Sequence, residues 1–133
     1  PAMNFLDTEV VQEDGTVKLV FGSYSIRLPE AKAKPLIEGG YVGKTIVMGI
    51  RPEDIHDDQI MIINSPDSVV ETQIKLYELL GAEVYLYFDL DQYSVTARVN
   101  PRTTAKVGDL VKFAFDINKL HLFDKETEQI IAN

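Results

Sequence analysis

Apolar and polar residues alternate along most of this chain, in short runs separated by glycine, proline and aspartate. Residues 3–12 alternate loosely and carry the strand formers Phe5, Val10 and Val11. Side chains two apart share one face of a strand, so this run predicts a half-buried strand. Asp14-Gly15 is a hairpin signal. Thr16–Phe21 returns with Val17, Leu19 and Phe21 on one face. Gly22-Ser23 turns again, and residues 24–28 set Tyr24, Ile26 and Leu28 against Ser25 and Arg27. These three runs predict a meander.

Residues 29–40 break the pattern. Glu30-Ala31-Lys32-Ala33-Lys34 favours helix, but Pro35 has no N–H and crowds the turn before it, so only a turn or so is expected. Thr45–Ile50 reads as the next strand. It ends in a corner, Gly49-Ile50-Arg51-Pro52-Glu53-Asp54-Ile55. Pro52 stops the ladder and biases Arg51 towards an extended conformation. The bend holds one cation beside two anions, and an exposed Arg51–Glu53 ion pair is one reading of it.

In residues 56–67 only Ile60-Met61-Ile62-Ile63 is apolar, and it reads as a short strand. Residues 69–80 fit two periods. As helix, Ile74, Tyr77 and Leu80 share a face. As strand, Val70, Thr72, Ile74, Leu76 and Leu80 oppose Glu71, Gln73 and Lys75, and this polar alternation favours the strand. Gly81 ends it, either as a break or as the mark of a bulge. Residues 83–90 follow with Val84, Leu86, Phe88 and Leu90 on one face, Asp91-Gln92 turns, and residues 93–99 pair back. Further strands are expected over 110–115, 120–123 and 129–132. Roughly ten short strands without a long helix predict an all-β barrel or sandwich.

The 133 residues suffice for one domain with its own core. No apolar run approaches the ~20 residues of a membrane helix. The opening Pro1-Ala2-Met3, with methionine third, suggests a piece cut from a longer protein. The absence of cysteine excludes a disulfide framework, a thiol nucleophile and thiolate zinc sites. A net charge of −8 repels phosphate backbones and anionic lipid, which argues against nucleic-acid binding.

The candidate chemistry is thin. Gly43-Lys44-Thr45 ends like a phosphate-binding loop, but the position that needs the first glycine is Glu38, and a β-branched strand follows where a helix should open. Glu53, Asp54, His56, Asp57 and Asp58 are acidic enough for a hard cation but lack any ligand spacing, so they read as a solvated loop. His121 sits between leucines without a partner nucleophile, and Asp89 and Asp91 flank a turn. Tyr85, Tyr87, Phe88 and Tyr93 are interleaved by aspartates rather than by basic residues, so packing is a better reading than base stacking. No constellation supports catalysis, and an enzyme is not expected.

Five stretches, in order, resemble one family. These are Pro1-Ala2-Met3-Asn4-Phe5-Leu6, Gly49-Ile50-Arg51-Pro52-Glu53, Leu80-Gly81-Ala82-Glu83, Val107-Gly108-Asp109 and Leu120-His121-Leu122-Phe123-Asp124. Together they resemble the C-terminal regulatory domain of MalK/UgpC-type ATP-binding subunits of ATP-binding-cassette sugar importers. The resemblance implies an OB-type barrel combined with a smaller TOBE-type barrel related to molybdate-binding modules. It would group residues 1–55 and about 108–133 as the OB-like part and leave about 56–107 as the TOBE-like part. It further implies a non-catalytic domain that pairs with its copy on a second ATPase subunit and can receive a regulatory protein. The importer's membrane subunits would be met through a missing domain. No cofactor is expected in this segment; ATP and magnesium would belong to the parent protein, which would sit in the cytoplasm against the inner face of the membrane. Arg51, Glu53, Glu78, Gly81, Glu83 and Phe123 match positions with interface or structural roles. A small-oxyanion-binding module is the alternative.

Overall fold

The computed structural model describes residues 2–133; Pro1, which opens the first family-like stretch, lies outside the described residues. Eleven strands and two short helices follow one another. They are β1 (Asn4–Glu13), β2 (Thr16–Phe21), β3 (Tyr24–Arg27), α1 (Glu30–Glu38), β4 (Thr45–Ile50), β5 (Ile55–His56) and α2 (Gln59–Asn64), then β6 (Val69–Leu80), β7 (Glu83–Leu90), β8 (Tyr93–Val99), β9 (Leu110–Phe115), β10 (His121–Phe123) and β11 (Ile130–Ala132). The expected all-β architecture is what forms.

Two antiparallel sheets result. The first has the order β11-β10-β4-β1-β2-β3, and the second β5-β9-β6-β7-β8. The helix α1 packs against β2 and β11 and bridges the gap between those parts of the first sheet. The edge strands β5 and β8 pack together, so the second sheet curls into a nearly closed barrel. Of the last strands, β10 and β11 join the first sheet, whereas β9 lies between β5 and β6 in the second. One core runs through both sheets: Leu6, Leu19, Ile50, Ile55, Phe88 and Phe113 all belong to it.

The hairpin signals work as read. Asp14 and Gly15 both take positive φ, as a two-residue turn between twisted strands requires. Three expectations need correction. Helix α1 runs nine residues and passes through Pro35. The carbonyl that Pro35 leaves without a partner belongs to Ala31, which is exposed, while fully buried Leu36 anchors the next turn. Second, residues 60–63 lie in helix α2, which starts where the Asp58 carboxylate accepts the Met61 N–H at 3.2 Å. Third, a bulge between Ile74 and Leu76 turns β6 over. Leu76 therefore faces away from Ile74.

Two polar side chains hold the architecture from inside. Lys32 of α1 is 4% exposed and donates from Nζ to the Leu120 carbonyl at 2.8 Å. Burial pushes its pKa down, opposed by Asp116. Asn4 is 9% exposed and joins the two sheets. Its Nδ2 donates to the carbonyls of Ile50 and Thr96, at 3.2 and 2.9 Å, and its Oδ1 accepts the Thr96 N–H at 2.9 Å.

Candidate interaction surface

The six singled-out residues fall into two groups on different sheets. Arg51, Glu53 and Phe123 surround the bend after β4; Glu78, Gly81 and Glu83 surround the turn between β6 and β7.

At the bend, residues Pro52–Asp54 form one 3₁₀ turn, with the Asp54 N–H closing on the Arg51 carbonyl at 2.9 Å. Arg51 does not pair with Glu53 among the described ion pairs. Its Nη1 donates instead to Nε2 of His121 at 3.0 Å. Arginine has no acceptor, so Nε2 must accept, and the proton sits on Nδ1, which donates to Oδ1 of Asn133 at 2.9 Å. His121 is thus fixed in one tautomer by structural partners. Burial, and next the neighbouring Glu53, push the Asp54 carboxyl above its usual range.

Gly49 explains why the corner begins with glycine. A Cβ there would stand 2.5 Å from Met3 Sδ, 3.1 Å from Phe123 and 3.3 Å from Phe5. Phe5 and Phe123 meet edge to face at 6.0 Å over this gap. The following residue, Asp124, ties down the β10–β11 turn. Its Oδ1 accepts the N–H groups of Glu126 and Thr127, and its Oδ2 accepts the Tyr41 hydroxyl at 2.7 Å. The Thr127 N–H, with help from Tyr41, holds the Asp124 pKa down to about 2. A depressed carboxyl pKa stabilises the fold above its unfolded value and stops doing so as pH falls through the folded one. Asp124→Asn should therefore flatten the loss of thermal stability between about pH 4 and pH 2, read as melting temperature against pH. An unchanged acid limb would show that Asp124 carries none of it.

At the second site, β6 pairs with β9 only as far as Gln73, and from Leu76 to Leu80 it pairs with β7 alone. It is there a free sheet edge. Leu76, Tyr77, Leu79 and Leu80 are 48%, 38%, 59% and 55% exposed. An apolar strand edge of this kind is a template for another chain. Gly81, with φ +63°, sits in the two-residue turn rather than in a bulge. Glu83 accepts from the Tyr85 hydroxyl at 3.1 Å and lies 3.6 Å from Arg98. The neighbouring Glu78 raises the pKa of the Tyr87 phenol.

The remaining candidates resolve as structure. In residues 39–44 the N–H groups of Gly39, Gly40, Tyr41, Gly43 and Lys44 are all spent on carbonyls of the chain, which leaves no nest for phosphate. Asp57 accepts the Thr103 hydroxyl at 2.6 Å. Among the described residues no group of three or more histidines, aspartates or glutamates is placed to hold a metal. Asp89 pairs with Lys75 at 2.9 Å, and Asp91 accepts the Ser23 N–H, tying two turns together. Tyr85 is buried and Phe88 is a core residue. Sequence reading missed Asn4. The signal was its place on the inward phase of β1, with Leu6, Thr8 and Val10.

Comparison with known proteins adds to this geometry. The family model described as the MalK OB fold domain matches residues 1–55, and that of the TOBE domain matches residues 48–123. The two overlap on the end of β4 and the bend. The chain is 43% identical over 128 residues to the oligosaccharides import ATP-binding protein MsmX of Bacillus subtilis, covering 96% of this chain and 34% of that protein. It is 37% identical to the multiple sugar-binding transport ATP-binding protein MsmK of Streptococcus mutans, over 98% of this chain and 34% of that protein. With the trehalose/maltose import ATP-binding protein MalK of Thermococcus litoralis it shares 33%, over 98% and 35%. The chain thus spans about a third of the length of these curated relatives. A solved structure of the cytoplasmic molybdate-binding protein ModG has the same fold, with a TM-score of 0.65 at 13% identity over 90% of this chain and 94% of that one. No helix among the described residues is long and apolar enough to cross a membrane.

Proposed function

We propose, from the premise that this chain belongs to the TOBE domain family with a MalK OB fold domain at its front, that it is the regulatory and dimerisation part of a sugar importer's ATPase subunit. The observation that carries this reading is similarity over nearly the whole chain to sugar-import ATP-binding proteins three times its length. ATP, magnesium and the contact with membrane subunits would then belong to the remainder of such a protein, held at the cytoplasmic face of the membrane. The chain itself does no chemistry. We assign the OB-like part to the first sheet, residues 4–50 with 121–132, and the TOBE-like part to the second.

Pairing with a second copy is assigned to the free edge Leu76–Leu80, with Glu78, Gly81 and Glu83 shaping its end. A specific interface buries roughly 1,000 Å² or more in total, so side chains flanking the Leu76–Leu80 edge would have to join the contact. Arg51, Glu53 and Phe123 keep structural roles at the bend. The chain should sediment as a dimer, and Leu79→Asp/Leu80→Asp should sediment as a monomer that still unfolds cooperatively, since both positions are exposed, with a melting temperature that no longer depends on concentration. A monomeric parent chain would overturn the dimerisation reading. The fold shared with a molybdate-binding protein keeps a small-oxyanion site as the alternative. Calorimetric titration with molybdate decides it, saturable heat being the result in its favour.

A further inference from the structure

A second open sheet edge lies elsewhere, on β9. Ile74 donates to the Asp109 carbonyl at 3.0 Å and accepts from Gly108 at 2.8 Å. Bonded and non-bonded pairs alternate along an antiparallel ladder. Val111 and Phe113, opposite Thr72 and Val70, therefore direct their backbone groups at β6. Leu110 and Lys112 direct theirs the other way, towards the side where Ala114 meets His56 of β5. Strand β5 ends at His56, and the chain then departs into α2. No strand covers Leu110 or Lys112 on that side.

A groove of about 1050 Å³ runs along this uncovered edge, between α2 and the loop 100–105. Its lining carries Asp57, Asp58, Glu71 and Asp109 against Arg102 and Lys112. Ile63 and Leu110, 71% and 67% exposed, add apolar side chains. Native proteins usually blunt a free edge by covering it or by placing charged side chains, especially lysine, along it; Lys112 is the one charged residue of β9. Here the edge is flanked by open space, net negative charge and unpaired apolar side chains. Backbone pairing gives affinity in such a site, and the flanking side chains select the partner.

We propose that this groove docks an extended, positively charged peptide segment, which joins the second sheet as a strand beside β9. The inference is independent of the dimerisation reading and uses a different edge. The test titrates the 133-residue chain with a short capped peptide of alternating lysine and valine, and with its glutamate–valine counterpart, following anisotropy and amide exchange. The lysine peptide should saturate and protect the Leu110 and Lys112 amides, and the glutamate peptide should not bind. Lys112→Pro removes one outward donor at an edge where proline is tolerated and should weaken binding at least about tenfold. Glu71→Lys, at an exposed position, should weaken it too, and decides alone should Lys112→Pro lower the melting temperature. No saturable binding, equal binding of both peptides, or indifference to both variants would each overturn the proposal.

Discussion

Phe88→Ala should lower the unfolding free energy by about 3–5 kcal/mol, and Phe88→Asp should leave no folded population at room temperature. Phe88 is 1% exposed on β7 and stacks on Phe113 of β9 with ring centroids 4.4 Å apart and planes 16° apart. Phe88 lies opposite Ile74 and Phe113 opposite Val70, so the two rings meet across the strand that separates theirs. Truncation leaves a cavity walled by three strands that the ladders prevent from closing. An aspartate there would lose its hydration and gain no partner, a cost on the scale of the whole stability of a domain this size. Urea denaturation followed by circular dichroism measures both variants. A Phe88→Asp chain with the parent's midpoint would refute the register of β7 on β6 as well as the placement of the core.

How much of this was legible beforehand depended on how local the deciding interaction was. The Phe88 face was readable because Val84, Leu86, Phe88 and Leu90 alternate without interruption and every one is buried. The turns at Asp14-Gly15 and Gly81 were readable because backbone conformation is written in the residue itself. Helix α2 was not, since four consecutive apolar residues carry no period. The Asp58 cap settled the matter, and none of the helix's own side chains is buried. Helix α1 outlasted Pro35 because Leu36 is buried under it against the first sheet and Lys32 is held by the Leu120 carbonyl, a contribution that propensity does not contain. The face of Leu76 was misassigned because a bulge changes phase without leaving a mark in composition. Of the candidate site, the corner and the hairpin turn were visible as motifs. That Arg51 would choose His121 over Glu53 was not, because the partners are 70 residues apart. The groove beside β9 was equally hidden: it exists because β5 stops after two residues.

Asn4→Leu should cost about 2–4 kcal/mol although the side chains are alike in size. Leucine suits an inward strand position by volume, so a purely apolar account of β1 expects little change or a gain. The hydrogen bonds say otherwise. Asn4 supplies both a donor and an acceptor to Thr96, 92 residues away, and thereby serves as the missing neighbour of β8 at that point. Leucine leaves the Thr96 N–H and C=O without partners at a half-buried junction, and the cost of an orphaned group exceeds the net gain from making the bond. Asn4→Asp separates the two functions. Its carboxylate still accepts from Thr96 but faces the carbonyls of Ile50 and Thr96 with a negative charge. Protonation restores a donor, so this variant should recover stability as pH falls, opposite in sign to the acid response carried by Asp124. Exchange of the Thr96 amide reads the same bond directly: in Asn4→Leu it should quicken more than that of the Phe88 amide, which pairs opposite Val95 within the β7–β8 ladder, and in Asn4→Asp, which keeps the acceptor, it should quicken less. Equal slowing or quickening of the two amides would mean that Asn4 contributes to global stability without pinning β8 to β1.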